Sequence, residues 1–254
     1  MILAIDIGNT NIVTGVCDGQ RILFMERITT NHTATDAEYA IILKQIFELK
    51  NIDASTVEGA IISSVVPSVT NSVKNAVRKI NGIDALVIGP GIKTGLSIKT
   101  DNPAQLGSDL VVDAVAALQC YSAPLIVFDM GTATTVSVIN KDKEYLGGMI
   151  MPGMMISLNA MVSGTSQLPK IGLDKPKKLI GANTTDCMKS GILYGTASSI
   201  DGIIDRIKEE IGNATVVATG GLAGTVIPLC KNEIILDDEL LIKGLMIIYN
   251  KNVQ

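Results

Sequence analysis

Two short segments, one in each half of the chain, repeat a single pattern: Asp6-Ile7-Gly8-Asn9-Thr10-Asn11 and Asp129-Met130-Gly131-Thr132-Ala133-Thr134-Thr135. In each, an apolar strand (Ile2 to Ile5; Leu125 to Phe128) ends in Asp, and Gly follows two positions on. Small hydroxyl or amide residues then lead into a second β-branched run. A tight β-hairpin satisfies that pattern. Glycine lets backbone N–H groups approach phosphate oxygens and takes turn conformations closed to other residues, while Thr and Asn add neutral donors. A carboxylate at the mouth of such a turn repels phosphate unless a divalent cation lies between them, so the pattern points to a magnesium-nucleotide site. One copy alone is an ordinary hairpin turn. Two copies, each opening one half of the chain, favour a duplicated phosphate-handling unit over a duplication that kept only its turns.

The chain is long enough, at 254 residues, for one large domain or two modest ones with a sizeable core. Aromatic residues make up 3% and Trp is absent, so that core must be aliphatic. A net charge of −4 argues against a partner with a phosphate backbone. The compact basic cluster Lys175-Pro176-Lys177-Lys178 reads as a solvated loop. Cys17, Cys120, Cys187 and Cys230 lack metal-ligand spacing and read as buried free thiols. Met1 runs straight into a strand with no basic segment or cleavage site, which implies a cytoplasmic protein. Leu146 to Pro169 is uncharged, but its Pro, Gly, Asn, Ser and Gln content argues against a membrane span.

Periodicity predicts strands at 2–6, 11–17 and 20–28 with a turn at Asp18-Gly19, a helix at 36–50, a strand at 58–63, a helix near 68–80 and a strand at 84–88. An irregular segment, 89–107, leads to a helix ending near Cys120. Strands at 124–129, 133–140 and 143–150, helices near 152–163 and 184–211, a strand at 214–218 and a helix at 238–251 complete the chain. The order implies an α/β protein of two lobes, 1–107 and 108–254, each a mixed five-stranded sheet with helices, and a cleft between them.

Other candidates follow from position. Thr219-Gly220-Gly221 succeeds an apolar strand, where Gly220 and Gly221 permit close approach to a flat ligand such as adenine, although an ordinary strand-to-helix turn reads the same way. Pro152 suits the first turn of a helix whose N-terminus would face phosphate. The methionines at 149, 151, 154, 155 and 161 read as core filler. Asp109, in Gly107-Ser108-Asp109, opens a helix at the lobe border and is either a general base or an ordinary first-turn carboxylate. Asp113 reads as surface, and His32 as a loop residue without a catalytic role.

Together these segments resemble a known family. Asp6-x-Gly-Asn-Thr, Ile62-Ser-Ser-Val-Val-Pro67, Gly89-Pro-Gly-x-Lys-Thr-Gly95, Asp101-Asn-Pro103, Gly107-x-Asp109, Asp129-x-Gly-Thr-Ala-Thr-Thr135, Gly147-Gly-x-Ile-x-Pro-Gly153 and Thr219-Gly-Gly221 run in the order found in type III pantothenate kinases, over nearly the whole chain. The resemblance implies the acetate and sugar kinase, Hsp70 and actin fold, with ribonuclease-H-like lobes. It also implies a homodimer that phosphorylates pantothenate with ATP and magnesium in the first step of coenzyme A synthesis, with potassium or ammonium as a monovalent cation. By the same resemblance Asp6 and Asp129 flank the metal-bound phosphates. Gly8, Asn9, Thr10, Asn11, Gly131, Thr132, Thr134, Gly220 and Gly221 hold the nucleotide. Asp109 is the base, and Thr100, Gly107, Ser108 and Thr184 line the pantothenate site, with Thr184 reaching it from the neighbouring subunit.

Two positions depart from the family pattern. Leu110 stands where Arg usually follows the Asp, and Thr100 where Tyr usually precedes Asn-Pro. In the family both side chains approach pantothenate, and Arg suits its carboxylate. Lys93 and Lys99 are the candidates to replace that charge. A working pantothenate kinase, a kinase for another small hydroxy acid, and a nucleotide-binding regulatory paralogue therefore all stay open.

Overall fold

The computed structural model describes residues 1–19 and 21–253. In chain order its elements are β1 (Ile2–Ile7), β2 (Asn11–Asp18), β3 (Arg21–Thr29), α1 (Asp36–Leu49), β4 (Gly59–Ser64), α2 (Pro67–Asn81), β5 (Leu86–Val87), β6 (Ser97–Ile98) and α3 (Ser108–Cys120). There follow β7 (Leu125–Met130), β8 (Ala133–Ile139), β9 (Glu144–Pro152), α4 (Met154–Ser163), α5 (Thr184–Ile211), β10 (Thr215–Thr219), α6 (Ala223–Val226), β11 (Ile235–Leu236) and α7 (Leu240–Val253). The strand expected at 20–28 starts at Gln20, which lies outside the described residues; β3 is described from Arg21.

Two compact units emerge. One comprises Met1–Leu96, Asn102–Gln119 and Glu239–Gln254; the other comprises Ser97–Asp101 and Cys120–Asp238. This division differs from a single boundary at 107/108, because nearly all of α3 and the whole of α7 belong to the first unit.

The first unit holds a sheet in the order β3-β2-β1-β4-β5, antiparallel across β1, β2 and β3 and parallel across β1, β4 and β5. Strand alternation sends Leu3, Ile5, Ile7, Ile12, Val16 and Ile62 into an apolar core with α1 and α2. Each of those helices is bounded by its own sequence. Thr35 and Glu38 form a reciprocal capping box at the start of α1. Pro67 occupies the first turn of α2, and Gly82, at φ 69°, ends it.

The opposite face of this sheet carries Ala4 and Asp6 of β1, Gly15 of β2, and Gly59 and Ser63 of β4. Its small residues let α7 approach: a β-carbon on Gly15 would lie 3.2 Å from Ile242, and one on Gly59 would lie 1.8 Å from the Tyr249 hydroxyl. Gly15 pairs with Ala4 in mid-strand and Gly59 with Ile2 at the strand's start. The helix therefore runs antiparallel to β1 and β4. Gly244 in turn admits the backbone of α3 at Val112.

The second unit repeats this arrangement. Its sheet runs β11-β10-β7-β8-β9-β6, so β9-β8-β7-β10-β11 matches β3-β2-β1-β4-β5 in order and direction. The sequence expectation of five strands is exceeded by β6, which pairs parallel with β9 and comes from the segment read as irregular. Two-residue strands carry too little periodicity to be seen in sequence. Ile126, Phe128, Met130, Val216 and Ala218 pack with Leu193, Ala197, Ile200 and Ile204 of α5. Among the described residues no helix is long and apolar enough to cross a membrane.

Several local expectations change. Asp113, read as surface, is 1% exposed, because α3 is buried at every position from Val111 to Ala117. Cys120 and Cys187 are exposed rather than buried. Burial pushes the Cys17 thiol up to about 11, so it stays protonated at neutral pH. Met154 is buried, but Met149 and Met155 are exposed, so the methionine stretch is only partly core. Pro152 ends β9 rather than opening α4, whose N-cap is Gly153.

Candidate active site

In each unit the acidic residue of the repeated pattern stands one position before the end of the central strand. Asp6 is the last residue but one of β1, in register with Val13 of β2 and Ser63 of β4. Asp129 lies near the end of β7, in register with Thr135 of β8 and Thr219 of β10. Both carboxylates thus lie at the carboxyl ends of parallel strand pairs, where α/β sheets bind ligands.

Each hairpin is closed by the N–H of its glycine, across four residues in the first and three in the second. Gly8 N–H donates to the Asn11 carbonyl (3.0 Å), and Gly131 N–H donates to the Ala133 carbonyl (3.0 Å). In the first, the Thr30 hydroxyl donates to the Gly8 carbonyl (2.6 Å) and the Thr30 N–H to the Thr10 carbonyl (2.9 Å). These bonds fix the turn while Asn9 and Thr10 stay exposed at its tip. Thr30 was not legible as a site residue, since it only follows a strand and belongs to no pattern.

In the second unit three separated segments meet. A β-carbon on Gly153, at the N-terminus of α4, would lie 2.2 Å from the Thr132 carbonyl oxygen. Gly220, at φ 95°, lies so near Asp129 that a β-carbon there would be 2.5 Å from Oδ1. The Leu222 N–H donates to the Met130 carbonyl (3.2 Å), tying the turn after β10 to the strand before the hairpin. Asp129, Gly131, Thr132, Gly153 and Gly220 therefore form one locality with an exposed Thr132 at its tip.

Thr134 is not part of it. Alternation puts Thr134, with Met130 and Met151, on the sheet face opposite Asp129. There it lines a cavity of about 340 Å³ with Ser157, Thr196 and Ser199. Thr184 opens α5 behind its Asn183 cap and lines an apolar cavity of about 400 Å³ with Met161, Leu168, Cys187 and Met188. Thr100 follows β6; its hydroxyl oxygen is buried and makes no hydrogen bond among the described residues.

Asp109 belongs to the first unit, in the first turn of α3. Burial pushes its carboxyl above the usual carboxylate range, partly offset by the Leu110 N–H, which donates to Oδ1 (2.9 Å). A carboxylate with raised proton affinity suits a general base. Its neighbour Ser108 accepts from the Ser63 hydroxyl, the residue beside Asp6. Asp6, Ser63, Ser108 and Asp109 are thus connected through one strand pair and one hydrogen bond.

Lys93 does not belong here. The Asn252 side chain accepts from the Lys93 N–H (2.9 Å) and donates to the Lys93 carbonyl (2.9 Å). Because α7 runs antiparallel to β1, this clamp holds Lys93 at the amino end of the sheet, away from Asp6. The Lys99 ammonium is paired with Glu144 (3.1 Å), and Asn140 and Lys99 hold that carboxyl below its usual range. His32 lies exposed in a turn.

A family model described as Type III pantothenate kinase matches residues 2–206. The chain belongs to that family. A type III pantothenate kinase of Halalkalibacterium halodurans is 44% identical over 254 residues, covering 100% of both chains. One of Moorella thermoacetica is 42% identical over 253 residues, covering 99% of this chain and 100% of its own. Among solved structures, a putative Baf family transcriptional activator from Campylobacter jejuni aligns with TM-score 0.59 at 20% identity, over 99% of this chain and 98% of its own. Component A of the Acidaminococcus fermentans (R)-2-hydroxyglutaryl-CoA dehydratase aligns with TM-score 0.57 at 15% identity, over 100% and 99%. At these identities the two structures speak for the two-unit α/β fold alone.

Among the described residues no cluster of three or more His, Cys, Asp or Glu side chains is built to hold a metal. Asp6 and Asp129 each place one carboxylate beside a glycine hairpin.

Proposed function

We propose that this protein transfers the γ-phosphoryl group of ATP to the hydroxyl of pantothenate, giving 4'-phosphopantothenate and ADP in the first step of coenzyme A synthesis. Full-length similarity to type III pantothenate kinases supports the substrate pair. The observation that carries the chemistry is Asp109, a carboxyl of raised proton affinity on the unit whose central strand carries Asp6.

Asp109 takes the proton from the pantothenate hydroxyl. The freed oxygen bonds to the γ-phosphorus as the bond to the β–γ bridging oxygen breaks, and ADP departs. Phosphoryl transfer asks a protein mainly for positioning and charge neutralisation. By the family resemblance Asp6 and Asp129 would each offer a carboxylate to magnesium, which when bound would neutralise phosphate charge. The backbone N–H groups near Gly8 and Gly131, with Asn9, Thr10, Asn11 and Thr132, hold phosphate oxygens, and the Gly220-Gly221 turn, packed against Asp129, borders the nucleotide. Thr134 acts from the other sheet face, through the hairpin. Gly107 and Thr100 border the pantothenate site, and potassium or ammonium serves as the monovalent cation.

The active form is a homodimer in the cytoplasm, to which Thr184 contributes across subunits. Ile150, 78% exposed, and Ile180, 85% exposed, with Met149, Met155 and Ile156, are exposed apolar side chains of the second unit that a second copy could cover. Assay of the purified protein with ATP and pantothenate, omitting magnesium or the monovalent cation in turn, tests the reading. Product formation dependent on both ions is expected; turnover of another hydroxy acid but not pantothenate would overturn it. Elution as a monomer on gel filtration would remove Thr184 from the site.

A further inference from the structure

The hydroxyl of Ser108 is fully committed to protein. It accepts from the Ser63 hydroxyl (3.0 Å) and from the Ser64 N–H (3.1 Å), and it donates to the Ser64 carbonyl (3.0 Å). One donor and two acceptor sites are all that a serine hydroxyl has. The network continues outward, because the Ser64 hydroxyl accepts from the Val66 N–H (3.0 Å) and from the Thr70 hydroxyl (2.8 Å). Ser63 is completely buried and Ser64 partly so. Ser63 lies in register beside Asp6.

We propose that Ser108 is a positioning residue that fastens the Asp109-bearing first turn of α3 to the end of β4, setting the base relative to Asp6, rather than a residue that touches pantothenate. This rests on the reading of Asp109 as the base. A hydroxyl with every site filled by Ser63 and Ser64 has no donor left for a ligand. Its partners lie at the end of a strand inside a parallel pair, and such a strand shifts less than a helix end held only by its own first-turn bonds. A base displaced by a fraction of an ångström from its near-attack position loses rate without losing affinity.

The test uses full-length Ser108→Ala, Ser63→Ala and the double variant. Ser108→Ala is expected to lower kcat about 10- to 100-fold while KM for ATP and for pantothenate changes less than about 2-fold. Ser108→Thr, which keeps the hydroxyl, should retain more of the rate. Ser63→Ala should lower kcat in the same direction, and the double variant should be no slower than the slower single one, as expected for two ends of one hydrogen bond. A rise in pantothenate KM at unchanged kcat in Ser108→Ala, an unchanged kcat, or strictly additive effects would overturn the proposal. If Ser108→Ala does not fold, Ser63→Ala and Ser108→Thr decide together: Ser63→Ala cuts one of the three bonds from the strand side and should lower kcat more mildly, and wild-type kcat in both would overturn the proposal.

A ligand-free readout separates this proposal from the assignment of the reaction. The Asp109 carboxyl titration, followed by NMR, should move in Ser108→Ala, and amide exchange at Leu110 and Val111 should quicken. A wild-type protein inert toward pantothenate would remove the reaction but leave this measurement to decide the role of Ser108. An unmoved titration with unchanged exchange would overturn it.

Discussion

Gly220 stands against Asp129 with no room for a side chain: a β-carbon would fall 2.5 Å from the carboxylate oxygen and 2.6 Å from the Met130 nitrogen. The backbone atoms of Met130 cannot swing aside as a flexible side chain could. With φ at 95°, alanine would also be strained by about 1–3 kcal/mol. Gly220→Ala should therefore lower the melting temperature and weaken ATP binding together, read by thermal denaturation and by calorimetric titration with nucleotide. A variant with wild-type affinity would separate this turn from the nucleotide site.

Asp109 sets activity against stability. Its folded-state proton affinity is raised, so the folded state favours the protonated form. The stability it contributes is complete below the ordinary Asp range, near 3.9, and is lost as pH rises through the raised value. At neutral pH the charged group is a burden on the fold. Asp109→Asn should lower kcat by about 10²–10⁴-fold and raise the melting temperature at pH 7. The gain should vanish near pH 4. Denaturation scans across pH, beside steady-state rates, check both halves.

The same burial should place the acidic limb of the wild-type kcat profile above that of an ordinary aspartate, with rate rising as Asp109 ionises. A limb at the ordinary position would show that another group governs the rate.

Neither Lys93 nor Lys99 is free to replace the missing arginine, the first being held at the wrong end of its sheet and the second paired with Glu144. Lys93→Ala should leave pantothenate KM unchanged. Leu110→Arg should lower it about tenfold or more, the worth of one charge-assisted hydrogen bond. Kinetics of the two variants side by side test the assignment.

Asn252 bonds to both main-chain groups of Lys93 and also donates to the Ile248 carbonyl (2.8 Å). Around it the segment from Gly89 has few bonds of its own, with Gly91 and Gly95 both at positive φ. Asn252→Ala should cost about 1–2 kcal/mol of stability and speed amide exchange from 91 to 96, measured by mass spectrometry.

The repeated hairpins, the longer strands and helices in their order, and the positions of Asp6, Asp129 and Asp109 were legible in the sequence, because each rests on local periodicity or on a glycine that a turn requires; the short β6, α6 and β11 were not. What escaped depended on tertiary partners. The pairing of β6 involves two residues, too few for a pattern. Asp113 looked like a surface position one turn after Asp109, yet α3 is buried around its circumference. Thr134 belongs to the hairpin motif, but strand parity turns it from Asp129, a distinction fixed by register rather than by residue type. Thr30 and Asn252 act through main-chain atoms of distant segments, which no local pattern records. The clamp on Lys93 could be judged only once the direction of α7 was known.

The sheet of the first unit has two faces with different tolerance for change. Toward α1 and α2 it offers branched aliphatic side chains, a surface on which volume can be exchanged between neighbours. Toward α7 it offers Ala4, Gly15 and Gly59; a β-carbon would crowd Ile242 at Gly15 and collide with Tyr249 at Gly59. Asp6 and Ser63 project from this second, unforgiving face. Efforts to toughen the enzyme by enlarging its hydrophobic interior should therefore succeed on the first side and damage turnover on the second.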